Sequence, residues 1–430
     1  MTIMSREEQN RLLTQTGRGT PMGNLFRRYW LPTISAAELP RPDCPPVRVK
    51  ILGEKLLAFR DTSGRLGLID EFCAHRGVSL WFGRNERNGI TCPYHGWRYD
   101  VTGQCIHVPS EPPERKFNEK IKLQSYPLVE RGGVLWTYMG DPALQPDLPE
   151  FEFAMVGEKN RYVSRRLQYS NYLQAMEGGI DPHHVAFLHS GEVSREAMIA
   201  TAESADYFRP DLQVKLDVAK SDGGMVIAYG RDLEAGKTYW RVMHWIMPNF
   251  TLIPPFGDHP VHGHFWVPID DENCFAWTFD YHPTRELTQE EVDAADAGKG
   301  LHVKLIPGTF KPVANVENDY LMDREKQVAG IHFSGIESIG MQDASLQESM
   351  GPIQDRAKEN LASSDRIIVM ARRMLRDAAL ELQDNVAPLG VEPQSHRVRS
   401  ATVLLPVETK VLDAVRDVTR VREGVGYASA

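Results

Sequence analysis

The chain has 430 residues, 42% hydrophobic and 25% charged, with a formal net charge of −9. This is the composition of a globular protein, long enough for two or three domains with their own cores. The acidic balance excludes a basic nucleic-acid footprint, and an anionic ligand would need local positive groups to hold it against the overall field.

The five cysteines, Cys44, Cys73, Cys92, Cys105 and Cys274, are too sparse for a disulfide framework. They fit a reducing cytoplasm, as metal ligands or core residues. Arg6, Glu7 and Glu8 interrupt any apolar leader, and no run of 18 apolar residues occurs. The expectation is a cytoplasmic protein without signal peptide or membrane span.

In chain order, residues 1–40 read as an N-terminal arm with one short helix, opened by Ser5 and Glu8 at capping-box spacing. Residues 46–69 read as a hairpin: Val47, Val49 and Ile51 alternate with Arg48 and Lys50, and a turn at Asp61–Gly64 leads to Leu66, Leu68 and Ile69. Strand-like segments continue to Trp136–Tyr138, and the Pro-rich stretch 141–149 marks a boundary. A small β domain over 41–145 is expected.

Beyond it the pattern changes. Leu167–Met176 reads as a helix broken by Gly178–Gly179, followed by a helix with Asp181 as N-cap and Pro182 at its first position. Residues 212–282 alternate as an antiparallel sheet. Two later helices run near Asp343–Met350 and from about Asp365 to Leu382. The second domain, 150–390, is therefore expected to be α+β, an antiparallel sheet flanked by helices, with 391–430 as a C-terminal tail.

Two segments carry the strongest chemistry: Cys73-Ala-His75-Arg-Gly77 and Cys92-Pro-Tyr-His95-Gly96-Trp97. Each offers one thiolate and one imidazole. Two cysteines on one iron and two histidines on the other form the Rieske [2Fe–2S] ligand set, in which neutral imidazoles make the cluster easier to reduce than an all-cysteine one. The competing reading is a zinc site, but zinc fingers usually order their ligands Cys, Cys, His, His.

A second signal spans Asn171 to His189. A mononuclear oxygenase iron wants two histidines and one carboxylate on one face, with open positions left for O₂ and substrate. His184 and His189 can supply the imidazoles. Five residues at about 100° each set them roughly 140° apart on a regular helix, so the helix must widen, bend or end between them. Asp181, three residues before His184, shares its face and is positioned to accept from its ring N–H. His183 is a rival ligand, although it points about 100° away from His184.

In this order the two motifs resemble the Rieske non-haem iron aromatic-ring oxygenases. Further stretches are similar to the phthalate dioxygenase-like group: Gly19 through Pro32, Tyr126 through Glu130, and Gln342 through Gly351. Pro182-His183 after Asp181 depart from the small polar residues of phthalate-type enzymes.

The resemblance implies a carboxylate ligand in the last stretch, assigned to Asp343, with Glu348 and Asp355 as alternatives. It also implies the cofactors: a [2Fe–2S] cluster, a mononuclear Fe(II), and NADH used indirectly through a separate flavin and iron–sulfur reductase. The implied reaction activates O₂ for cis-dihydroxylation of an aromatic substrate such as a phthalate-like or benzoate-like acid, or alternatively for O-demethylation. The implied assembly is a head-to-tail homotrimer, or a dimer of trimers, in which Asp181 bridges His95 or His75 of a neighbour to its own His184. An electron carrier alone or a zinc-stabilised binding module are the readings from other classes.

In the segment 239–246, Tyr239, Arg241, Met243 and Trp245 fall on one face of an expected strand. Arginine is seldom buried without a partner, so Arg241 is a candidate anchor for a substrate carboxylate, with Arg209 and Arg231 behind it.

Overall fold

The computed structural model describes residues 4–191, 213–233, 236–384 and 386–422. It forms two compact units: Phe26–Pro146, and the described residues before and after that span.

The first unit is all β. Val47–Ile51, Glu54–Arg60, Leu66–Asp70 and Ser125–Tyr126 form one four-stranded sheet, and Arg84–Glu86, Gly89–Thr91, Arg98–Tyr99 and Cys105–His107 another. The expected hairpin over 46–69 is three strands. Leu52 (φ 50°) and Gly53 (φ 79°) make a tight turn that hydrophobic alternation alone does not mark.

The unit also begins earlier than expected. Trp30–Ser35 pairs with Val134–Tyr138, so the second half of the supposed arm is a strand of this domain. Its apolar residues Trp30, Leu31 and Ile34 are buried, which favours sheet pairing over an exposed arm.

The second unit is built on an eight-stranded antiparallel sheet: Arg161–Gln168, Cys274–Tyr281, Val261–Pro268, Phe250–Ile253, Lys237–Ile246, Gly224–Leu233 and Lys215–Lys220 in spatial order. The eighth strand, Ala401–Pro406, pairs with Lys237–Ile246. The region read as a tail thus completes the sheet. Strand Arg161–Gln168 likewise takes the first residues of the expected helix 167–176, because Leu167 and Gln168 continue a ladder with Phe275 and Cys274.

Directly paired residues share a sheet face. Thr251 pairs with both His264 and Trp245, so His264, Trp266, Thr251, Trp245, Met243 and Arg241 all lie on one side. Phe250, Phe265 and Phe279 lie on the other and pack with Phe151 and Phe153.

On the first side rests the helix Tyr172–Ile180. Its Trp245 contact is an indole N–H donated to Met176 Sδ at 3.2 Å. Gly178 and Gly179 lie inside this helix and do not break it. A Cβ on Gly179 would sit 2.0 Å from the Trp266 ring, and one on Gly178 would sit 2.3 Å from Gln347 Nε2. The helical cost of each glycine, about 1 kcal/mol, is offset by close approach to the sheet on one side and to the helix Ile339–Ser349 on the other.

The N-terminal helix Arg6–Thr14 has the expected capping box: Ser5 and Glu8 exchange side-chain hydrogen bonds with each other's backbone N–H. It belongs to this second unit and braces the start of Tyr172–Ile180. Asn171 donates to the Thr14 carbonyl, and the Tyr172 hydroxyl to that of Leu13. No described helix is long and apolar enough to cross a membrane.

Candidate metal centres

Cys73 and Cys92 are buried within an apolar cluster that includes Leu57, Phe59, Leu80, Ile90 and Trp97. The two loops that carry them share one construction. In each, a glycine four residues after the cysteine donates its N–H to the cysteine carbonyl at 2.9 Å: Gly77 to Cys73, and Gly96 to Cys92. Each cysteine N–H in turn donates to the carbonyl five residues on, Val78 or Trp97. Both glycines have left-handed backbone (φ 72° and 75°), where a side chain would be strained.

The equivalent positions in the two loops are thus the cysteines and glycines. The histidines, at different offsets, come out side by side with ring centroids 4.6 Å apart. His75 also stacks on Trp97 at 4.6 Å. The Tyr99 hydroxyl lies 3.3 Å from Cys73 Sγ and accepts from the Ala74 N–H. If Cys73 is a metal-bound thiolate, the hydroxyl must be the donor.

This spread argues against a single tetrahedral zinc. Zinc bonds of about 2.0–2.3 Å would bring all four donor atoms within roughly 4 Å of one another. Among the described residues, the only group of three or more whose donor atoms all lie within 4.8 Å is a different one: His184, His189 and Asp343. Two cysteines and two paired histidines are the donor set a Rieske two-iron cluster requires.

His184 and His189 flank a single helical turn, Val185–Leu188: His184 precedes it and His189 ends it. Of the expected escapes from regular geometry, the helix takes the shortest, ending between the two ligands. The helix expected from Asp181 with Pro182 as its first residue does not form. Asp181 instead terminates Tyr172–Ile180 and accepts the His183 N–H at 2.8 Å.

The two Nε2 atoms come within 3.1 Å, and Asp343 Oδ1 lies 3.5 Å from that of His184 and 3.3 Å from that of His189. Donors at right angles on a metal, with bonds of about 2.1 Å, would be about 3.0 Å apart. The three therefore fit one face of an octahedral ion.

Asp343 arrives on Ile339–Ser349, which begins four residues earlier than expected. Behind the ligands, Asp181 Oδ2 is 3.5 Å from His184 Nδ1, within ion-pair reach. Gln342 Oε1 is 2.7 Å from His189 Nδ1. Gln342 was missed from sequence; its place beside Asp343 was the only signal. Burial pulls the His184 pKa down, but Asp181 and Asp343 outweigh it and raise it to about 10. Both carboxyls are held well below their ordinary range: burial raises them, and the histidines more than reverse it.

The other candidates lie elsewhere. Glu348 accepts from the Tyr320 hydroxyl and the Tyr169 N–H, and Asp355 pairs with Lys358 at 2.9 Å. His183 faces Asp181 at 3.6 Å and is not part of the three-ligand group. Arg241 and Arg231 are both buried, and Arg209 lies outside the described residues. Arg241 donates to the Pro254 carbonyl and, at 3.4 Å, to the Tyr229 hydroxyl, with its guanidinium 3.6 Å from the Phe256 ring centroid. Its Nη1 is buried and has no hydrogen-bond partner among the described residues.

Comparison with known proteins gives the same division. Residues 29–127 match the Rieske [2Fe-2S] domain, and 137–418, more than half the chain, match the LigXa C-terminal domain like family. The 3-chlorobenzoate-3,4-dioxygenase oxygenase subunit of Comamonas testosteroni is 35% identical over 94% of this chain and 96% of its own length. The phthalate 4,5-dioxygenase oxygenase subunit of Pseudomonas putida is 33% identical over 90% and 89%. The 5,5'-dehydrodivanillate O-demethylase oxygenase subunit of Sphingobium sp. (strain NBRC 103272 / SYK-6) is 32% identical over 87% and 80%. Among solved structures, dicamba monooxygenase bound to dicamba shares the fold, with a TM-score of 0.58 at 18% identity over 84% of this chain and 99% of its own. With both halves matched and relatives aligned along nearly their whole length, the chain belongs to the Rieske non-haem iron oxygenases, as a terminal oxygenase component using a [2Fe–2S] cluster, a mononuclear iron and electrons from a reductase or ferredoxin partner.

Proposed function

We propose that Cys73, His75, Cys92 and His95 hold the cluster, that His184, His189 and Asp343 hold the iron, and that the substrate is an aromatic carboxylate hydroxylated by cis-dihydroxylation. The observation that carries this reading is the convergence of donor atoms from His184, His189 and Asp343 within 4.8 Å of one another. When bound, the iron supplies O₂ activation, which no side chain can provide. The chain's own residues do the rest. His184, His189 and Asp343 would hold the iron, and Asp181 would keep the ring of His184 in place from behind.

Arg241 is the candidate for the substrate carboxylate. Its unsatisfied Nη1 is costly to bury, and a bound carboxylate would satisfy it in a protein whose net charge otherwise repels anions. Arg231 and Arg209 are weaker candidates for a second anionic group. Removing a charge-assisted bond worth about 1.5–3 kcal/mol predicts that Arg241→Met raises KM for the acid roughly 10- to 100-fold. An unchanged KM overturns that role.

O-demethylation of a methoxylated aromatic acid is the second reading, favoured by the similarity to an O-demethylase subunit. Turnover of a panel of aromatic carboxylates with a reductase separates the two, because demethylation releases formaldehyde and dihydroxylation leaves a cis-diol. The protein would act in the cytoplasm, beside its reductase, as a head-to-tail trimer or a dimer of trimers. In that ring Asp181 would join a neighbour's cluster histidine to its own His184; a heterologous contact of this kind closes into a ring.

A further inference from the structure

We infer that Gln342 is a positioning residue that locks His189 in its metal-binding tautomer before any metal arrives. This rests on the reading of His184, His189 and Asp343 as iron ligands. Gln342 is 1% exposed and immediately precedes Asp343 on Ile339–Ser349. Its Nε2 donates to the Ile336 carbonyl at 2.8 Å. That contact fixes which way round the amide lies, because the reverse orientation would press Oε1 against another acceptor.

Oε1 therefore faces His189 Nδ1 at 2.7 Å. An amide oxygen only accepts, so Nδ1 must carry the proton. A neutral imidazole carries one, which leaves Nε2 bare. Nε2 is the atom that lies 3.1 Å from His184 Nε2 and 3.3 Å from Asp343 Oδ1.

The two histidines are held differently. His184 has a carboxylate behind it, Asp181, and His189 has a neutral amide. An amide orients the ring without placing a charge behind it, as Asp181 does behind His184. Asp343 and Gln342 are neighbours on one helix, so any movement of that helix carries both together.

The test uses the cluster-containing protein after chelator removal of the mononuclear metal, titrated calorimetrically with Co²⁺. Gln342→Leu is expected to weaken Co²⁺ binding about 10- to 100-fold. Gln342→Glu keeps the acceptor and is expected to bind within about threefold of wild type or more tightly, a rescue judged on the same fold scale. Both variants lose the bond to Ile336, so a role confined to anchoring that loop predicts equal weakening. Equal weakening, or wild-type binding by the leucine variant, overturns the proposal. Gln342→Met fills similar volume and serves where the leucine variant does not fold. If wild-type protein shows no Co²⁺ uptake that His189→Ala abolishes, the metal-site reading itself fails, and the proposal with it.

Discussion

The proposed cluster ligands all fall between Cys73 and His95, on two loops that hold their own shape through a glycine and a pair of backbone hydrogen bonds each. The proposed iron ligands run from His184 to Asp343, on two separate segments, and the helix leading to the first packs closely on Trp266 and Gln347 through Gly178 and Gly179. One site is made by local backbone geometry and the other by packing at a distance. The first should therefore tolerate damage to the second unit, whereas the second should respond to changes well away from its ligands.

The largest effect should come from cutting the sites apart. His184→Ala or His189→Ala is expected to abolish turnover and lower iron from about three to about two per chain, leaving the visible cluster spectrum intact. Cys92→Ser should do the reverse, losing the colour while the His184–His189–Asp343 site still takes up metal. Loss of colour in the histidine variants would break the division between the units.

Next is Asp181→Asn. Asparagine accepts the His183 N–H as aspartate does, so a purely local role predicts little change. The bridging role predicts that both centres stay loaded while reoxidation of the reduced cluster by O₂ and substrate slows about 100-fold or more, roughly 3 kcal/mol in barrier. Stopped-flow absorbance of the reduced cluster distinguishes the two.

A third test reaches the iron site from behind. Glu177, on the same helix as the glycine pair, is buried between Arg356 at 3.0 Å and Arg372 at 2.5 Å. Glu177→Gln should destabilise the second unit by about 3–5 kcal/mol, the usual cost of breaking a buried pair. Burial pushes the Glu177 carboxyl up, but the two guanidiniums outweigh it and leave it below its ordinary 4.5. Its contribution is thus complete above about pH 4.5 and is lost as pH falls through the lowered folded value. Acid unfolding followed by circular dichroism should show that dependence in wild type and lack it in the variant.

The smallest expected effect belongs to Tyr99→Phe, which removes the hydroxyl 3.3 Å from Cys73 Sγ, the donor of that pair if the sulfur is a cluster-bound thiolate. A donor to the thiolate favours the reduced, more negative cluster. Its loss should lower the potential by roughly 30–60 mV, the one-electron equivalent of about 1 kcal/mol. An unchanged potential would remove Tyr99 from the tuning of the site.

What the sequence determined by itself was whatever short spacing can carry. The Cys-x-His and Cys-x-x-His loops, the antiparallel alternation of 212–282 and the Ser5–Glu8 capping box depend on neighbours within a few residues, and their side-chain periods are visible in the chain. The conflict between His184 and His189 on a regular helix was also visible, since it follows from helical pitch alone.

Tertiary structure decided the rest. Gly178–Gly179 signal a break by propensity, yet they continue the helix because Trp266 and Gln347 occupy the space a side chain would need. Trp30–Ser35 and Ala401–Pro406 looked like arm and tail until their partners, Val134–Tyr138 and Lys237–Ile246, supplied the missing hydrogen bonds. Asp343 was assigned only by resemblance, and Gln342 not at all. A carboxylate or an amide on a helix gives no local sign of which distant imidazole it will meet, because that is fixed by how two helices pack and not by the residues beside them.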